Sequence, residues 1–310
     1  MAKVVALGGG HGLAVTLTAL RKVGQDITAI VTVADNGGSS GRLRQEFPIF
    51  PPGDLRMALA ALCADDEWGR TWAKIMQHRF ESDGALNGHA MGNLLLASMW
   101  SAGDDPVCAL DRVGELLRVV GRVLPMAAVA LDIEGTFNTS TGRIVVRGQK
   151  EVATAKGMIE SLRIIPDNPD ARSEALAAIA AADWIIMGPG SWFSSVIPHL
   201  LVPAQLAALQ KTTAKKVLIL NLDAFPHSPG EEFAGSTPEQ HLAFFHRYAP
   251  GLRVDYCLID QSVARDRQAL DDAAATLGGA IVVADIRKAP GSVHHDGEKL
   301  ALHLGHILSQ

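Results

Sequence analysis

Lys3-Val4-Val5-Ala6-Leu7-Gly8-Gly9-Gly10-His11-Gly12-Leu13 is a short apolar run, closed by glycines and followed by a helical pattern. Leu13, Leu17 and Leu20 stand at i, i+4 and i+7, the spacing of a helix stripe that faces a core. The next run, Ile27–Val33, is continuous rather than alternating and ends in Ala34-Asp35-Asn36-Gly37-Gly38-Ser39-Ser40-Gly41. Continuous Val/Ile runs suit strands covered on both faces, as in a parallel sheet. The theme returns in Trp184–Met187, Lys216–Leu220, Val254–Ile259 and Ala280–Ala284, each ahead of a helical stretch. This alternation predicts an α/β, Rossmann-like doubly wound fold with a mainly parallel sheet.

Two regions interrupt the alternation. Residues 54–118 carry several helical patterns and no convincing strand, which predicts a helical insertion. In residues 122–155, Val129, Leu131 and Ile133 alternate, followed by Asn138-Thr139-Ser140-Thr141-Gly142 and Ile144-Val145-Val146. That pattern predicts a β-hairpin added to the sheet. No Pro/Gly/Ser linker divides the chain, so residues 1–310 are expected to form one domain with these two elaborations.

The chain is 48% hydrophobic, 20% charged and 5% aromatic, which excludes disordered, collagenous and small disulfide-rich classes. A net charge of −5 offers no global basic surface for nucleic acid or an anionic membrane. Any anion is therefore held locally. Cys63, Cys108 and Cys257 stand far apart, without CxxC, as in a reducing compartment. With no signal-peptide pattern and no span of ~18–20 apolar residues, the expectation is a cytoplasmic protein without a membrane span.

In an open parallel sheet, ligands lie beyond the carboxyl ends of the strands. Three loops there are unusual. Gly8-Gly9-Gly10-His11-Gly12 opens a helix whose first N–H groups suit a phosphate. It meets the dinucleotide fingerprint only in part, since Leu13 takes the third glycine position, and it lacks the Lys-Ser/Thr of a P-loop. The second loop sets Asp35 at a strand tip, for a ribose hydroxyl or a divalent cation, ahead of a Gly37–Gly41 nest with Ser39 and Ser40. Arg42, Arg44 and Arg56 follow. The third, Gly188-Pro189-Gly190-Ser191, offers the amides of Gly190 and Ser191 and the Ser191 hydroxyl to a second phosphate, unless Ser191 merely caps a helix. Trp192 and Phe193 stack on a base or fill the core, the core being expected for at least one. Two such loops point to a diphosphate, hence a nucleotide or nucleotide-sugar.

Other residues have plainer readings. His89 and Asn93 share a helix face and either meet the ligand or bond within the insertion. Asp54 caps the helix Leu55–Leu62 or reaches into the site, capping being the default expectation. His294-His295 and His303/His306 are expected at the surface, and no Ser-His-Asp or Cys-His spacing argues for nucleophilic catalysis.

Assembled, these motifs resemble a known family. Gly8–Leu13, Ile27–Arg44, Pro51-Pro52-Gly53-Asp54-Leu55-Arg56, Gln77-His78-Arg79-Phe80, Gly88–Leu96 and Gly188–Leu201 look like the gluconeogenesis factor (YvcK-type, UPF0052) family, in its actinobacterial branch. The resemblance covers roughly residues 3–223, including the strand end at Asn221; the remainder matches weakly apart from Pro229-Gly230-Glu231. The family is similar to 2-phospho-L-lactate transferase (CofD-like), which joins a phospholactyl group to a deazaflavin. The resemblance implies a Rossmann-like domain that binds a UDP-sugar such as UDP-N-acetylglucosamine. It also implies control of cell shape and peptidoglycan synthesis under gluconeogenic growth, with no reaction firmly attached. Two departures from the family pattern stand out: His11 replaces the usual Thr, and Asn36 replaces a second Asp, which weakens the case for metal-dependent transfer.

The expectation is a nucleotide-sugar-binding regulator that acts on a cell-wall precursor enzyme through protein contacts, with no catalytic residue and no required cofactor. Its ligand residues are expected to be Gly9, Gly10, His11, Gly12, Asp35, Asn36, Ser39, Ser40, Arg42, Arg56, Asn93, Gly188, Gly190, Ser191 and Asn221. The alternative is a transferase forming a phosphodiester, with Asp35 and Mg²⁺ aligning a nucleoside-diphosphate leaving group. An NAD-dependent oxidoreductase fits poorly, because Leu13 breaks the fingerprint. A homo-oligomer is left open.

Overall fold

Strand β1 (Lys3–Gly8) is buried at every position after Lys3, and it is an interior strand of a seven-stranded sheet. The computed structural model describes residues 1–222 and 237–310. The sheet runs β10-β9-β8-β7-β1-β2-β3, and all its pairings are parallel. Its strands are β2 (Asp26–Val31), β3 (Gly121–Pro125), β7 (Trp184–Met187), β8 (Lys215–Ile219), β9 (Tyr256–Asp260) and β10 (Ala280–Ala284). The continuous apolar runs are buried because helices cover both faces of the sheet, so the α/β expectation holds.

From β1 the chain steps outward to β2 and β3, and later returns to β1's other side as β7. The order of strands therefore reverses between β1 and β7, and this gap is where an open α/β sheet forms its crevice. Register brings the two tips level, with Leu7 opposite Met187. Helix α1 (Gly10–Val23) follows β1 and buries Leu13, Leu17 and Leu20, as their spacing requires.

The helical insertion consists of α3 (Pro52–Ala61), α4 (Glu67–Gln77), α5 (Met91–Ser101) and α6 (Pro106–Leu117), preceded by α2 (Gly38–Glu46). The hairpin expectation needs correction. Residues 121–125 form β3, the parallel edge strand of the main sheet. The hairpin itself is β4 (Asp132–Thr139) with β5 (Gly142–Arg147), and β6 (Met158–Ile165) joins β4 on its other edge. These three strands make a separate antiparallel sheet rather than an addition to the main one. β6 escaped the sequence reading because it alternates weakly and pairs only with a strand some twenty residues away. Among the described residues, no single helix is long and apolar enough to cross a membrane.

Candidate functional site

Gly9 caps α1, and Gly10 follows it in the left-handed region, with φ of 56°. Two residues on, Gly12 lies directly against the turn after β7. A Cβ there would overlap the Pro189 carbonyl, so only glycine lets the β1 and β7 turns touch. The Thr16 hydroxyl on α1 donates to the Gly188 carbonyl at 3.0 Å and clamps the turns together. Gly188 is thus part of the frame behind the crevice.

A cavity of about 470 Å³ opens in front of the two turns, lined by His11, Gly12, Gly190, Ser191 and Asn221. The donors are only partly as expected. Gly190 N–H donates to Asn221 Oδ1 at 2.9 Å, and Asn221 Nδ2 donates back to the Gly190 carbonyl at 2.7 Å. Asn221 is therefore a strut that fixes the β7 turn. The Ser191 hydroxyl accepts from Ser194 N–H at 3.0 Å and caps the π turn Trp192–Val196, as its plainer reading has it. Trp192 and Phe193 are both buried, so neither rests on the surface as an open stacking platform.

The far wall was missed from sequence. Trp192, His241, Val293, His294 and His295 line the same cavity; His294 is exposed, as expected, and the surface placement is corrected for His295. His295 Nε2 bonds to the Leu220 carbonyl at 3.2 Å, and burial pushes its pKa down to about 4. Behind it, Arg287 donates to the Leu222 carbonyl at 2.9 Å and pairs with the buried Asp260 carboxylate at 3.6 Å. His303 and His306 lie on the helix Gly297–Leu308, where His306 is exposed.

On the other side of the β1 turn stands a carboxylate pair. Asp54 does not cap α3: Pro51 holds that position, and Asp54 is buried in the first turn. Its carboxylate accepts from the Thr32 hydroxyl at 3.1 Å and from the Gly10 N–H, and packs so tightly on Gly9 that no Cβ would fit there. Burial, and then the neighbouring Asp35, raise its pKa to about 7. Asp35 Oδ1 accepts from Gly37 N–H at 2.8 Å, while Oδ2 faces Gly53 at the start of α3. Two carboxylates with hydroxyl neighbours suit a hard cation that keeps phosphate oxygens among its ligands. Among the described residues, no group of three or more His, Cys, Asp or Glu is gathered to hold a metal.

The remaining expected residues gather elsewhere. Asn36 turns from the crevice to α7 (Gln149–Ala153): its Oδ1 accepts from Gln149 N–H at 3.0 Å, and its Nδ2 donates to Glu151 at 3.1 Å. Ser40 Oγ accepts from Gly53 N–H at 3.0 Å. Ser39, His89, Asn93 and Arg56 form a buried chain. Asn93 Nδ2 donates to Ser39 Oγ at 3.0 Å, Ser39 Oγ lies 2.9 Å from His89 Nδ1, and Arg56 Nε donates to Asn93 Oδ1 at 2.8 Å. This Ser–His contact spans fifty residues, so no local spacing could disclose it. Arg42 donates to the Ala85 and Asn87 carbonyls, at 3.3 and 2.6 Å. Asp35, Ser39, Ser40, Arg42, Arg56 and Asn93 thus face the insertion side, and none lines the 470 Å³ cavity. Pro229-Gly230-Glu231 lies outside the described residues.

Comparison with known proteins supplies relatives for the whole chain. The profile of the 2-phospho-L-lactate transferase CofD family matches residues 4–296. The chain is 50% identical over 305 residues to a Mycobacterium leprae protein, covering 96% of this chain and 84% of the other. It is 41% identical over 239 residues to the gluconeogenesis factor of Halalkalibacterium halodurans, covering 77% and 71%. The Mycobacterium leprae protein is likewise named as a gluconeogenesis factor. A crystal structure of a UPF0052 family member from Bacillus halodurans superimposes with a TM-score of 0.83 at 34% identity, over 97% of each chain.

Proposed function

Because the chain belongs to the CofD-like UPF0052 family of gluconeogenesis factors, we propose that it is a regulatory protein which binds a nucleotide diphosphate sugar, of the UDP-N-acetylglucosamine kind, between the β1 and β7 turns. The observation that carries this reading is the contact of Gly12 with Pro189 at the mouth of the cavity. It sets the amino end of α1 beside the β7 turn, where the helix dipole and backbone N–H groups favour an anion. His11 and Asn221 border the diphosphate, and the wall of Trp192, His241 and His295 faces the outer group of the ligand. In this reading the occupied cavity signals to a cell-wall precursor enzyme in the cytoplasm, and through it to cell shape during gluconeogenic growth.

Calorimetric titration with UDP-N-acetylglucosamine tests the proposal. Saturable binding is expected; no heat at millimolar ligand overturns it.

The Asp35–Asp54 pair favours a second reading, a transferase that forms a phosphodiester from a nucleoside-diphosphate-activated donor. Mg²⁺ bound by Asp35 would supply the charge that stabilises the departing diphosphate. Asp54 would hold the β1 turn through Gly10 N–H and leave the cation to Asp35. Incubation with a deazaflavin and an activated phospholactate in Mg²⁺ decides the matter. A product replaces the first reading, and none retires the second.

A further inference from the structure

Three arginines, Arg42, Arg56 and Arg79, converge where the loop after β2 meets the helical insertion. Arg42 and Arg79 grip the same turn: Arg42 donates to the Asn87 carbonyl at 2.6 Å and Arg79 to the Gly88 carbonyl at 2.8 Å. Arg56 approaches from α3 and bonds through Nε alone, to Asn93. Every one of these acceptors is neutral. Among the described residues, none of the three arginines makes an ion pair, although Asp35, Asp54 and Glu46 stand within electrostatic reach of the group.

Such crowding is unfavourable in isolation. Burial, and then the Arg79 charge, lower the Arg56 pKa to about 10, and burial followed by Arg42 lowers that of His89. A guanidinium carries five N–H donors, and the turn at 85–88 uses only a few of those available. Arg56 is 3% exposed, and among the described residues only its Nε makes a hydrogen bond; neither Nη is a fully buried, unpartnered atom, so both remain open to a ligand oxygen. Planar guanidinium forks match carboxylate and phosphate oxygens.

We propose that Arg42, Arg56 and Arg79, with His89 at their edge, form an oxyanion subsite for the acidic group of a second small-molecule ligand, separate from the β1/β7 cavity. The subsite takes a phosphate or a carboxylate, and it does not depend on what fills the cavity. It gives the helical insertion a binding role: α3 and the 79–89 turn carry Arg56, Arg79 and His89, and α2 brings Arg42 to them beside Asp35.

The test is calorimetric titration of the full chain with inorganic phosphate and, in a separate arm, with malonate, each with and without saturating UDP. One of the two anions is expected to bind, and the tighter one identifies the group recognised. Arg79→Gln, at an exposed position, is expected to weaken that binding roughly tenfold, with an unchanged circular dichroism spectrum. UDP is expected to leave the anion affinity unaltered. Equal anion affinity in Arg79→Gln, complete competition by UDP, or no binding of either anion at about 20 mM overturns the subsite. If UDP-N-acetylglucosamine fails to bind while phosphate binds with sensitivity to Arg79→Gln, the cavity reading falls and the subsite stands.

Discussion

The side-chain amide of Asn36 donates to the Glu151 carboxylate at 3.1 Å, while its carbonyl oxygen accepts from the first amides of α7. Both halves of the amide are needed. An aspartate here would keep the cap but place a second carboxylate against Glu151. The residue that looked like a lost metal ligand is instead the tie between the β2 loop and the antiparallel sheet's helix.

Asn36→Asp is therefore expected to lower the melting temperature at pH 7 by roughly one to three degrees, about 1 kcal/mol. Adding Glu151→Gln should restore the native value. Thermal melts of the single and double variants check this, and no recovery in the double variant refutes the pairing.

Asp54 makes stability depend on pH with a definite sign. Its folded pKa, about 7, lies above its unfolded value, so the folded state favours the protonated form. Ionisation penalises folding progressively from about pH 4 to pH 7, and the penalty levels off above that. Its ceiling is on the order of 4 kcal/mol for a fully buried group shifted this far. Asp54→Asn should match the native protein near pH 4 and exceed it in stability at pH 8. Denaturant melts across that range measure the difference, and parallel curves for the two proteins would exclude the shift.

Gly12→Ala probes the contact between the turns. The added methyl meets backbone, which cannot rotate away, so the turns must part. Destabilisation of about 2 kcal/mol or more is expected, together with loss of UDP-sugar binding in the fraction that folds. Native affinity in this variant would show that the approach of the two turns is irrelevant to the ligand.

Arg287 is buried with Asp260 and also holds the Ser262 hydroxyl and the Leu222 carbonyl. Arg287→Ala leaves the Asp260 carboxylate without its cation and releases the strand end that carries Asn221. A loss of about 3 kcal/mol is expected, along with faster amide exchange at Leu222 and in the segment 289–296. A change below about 0.5 kcal/mol would mean that the cavity wall stands without it.

Much of the molecule was readable in one dimension because the deciding signals are local. A glycine run after an apolar run is a strand-to-helix turn wherever it occurs, and Leu13, Leu17 and Leu20 declare their face by spacing alone. Those signals determined the parallel sheet, the helical insertion and the two turns that border the crevice. Tertiary structure decided the rest. It separated β4–β6 from the main sheet, sent Asn36 to Glu151 instead of the crevice, buried Asp54 beside Asp35, brought His295 to the cavity wall and gathered Arg42, Arg56 and Arg79. In each case the side chain's role depends on a partner distant in sequence. Charge, desolvation and hydrogen-bond geometry act through space, so a residue's spacing along the chain carries no record of them.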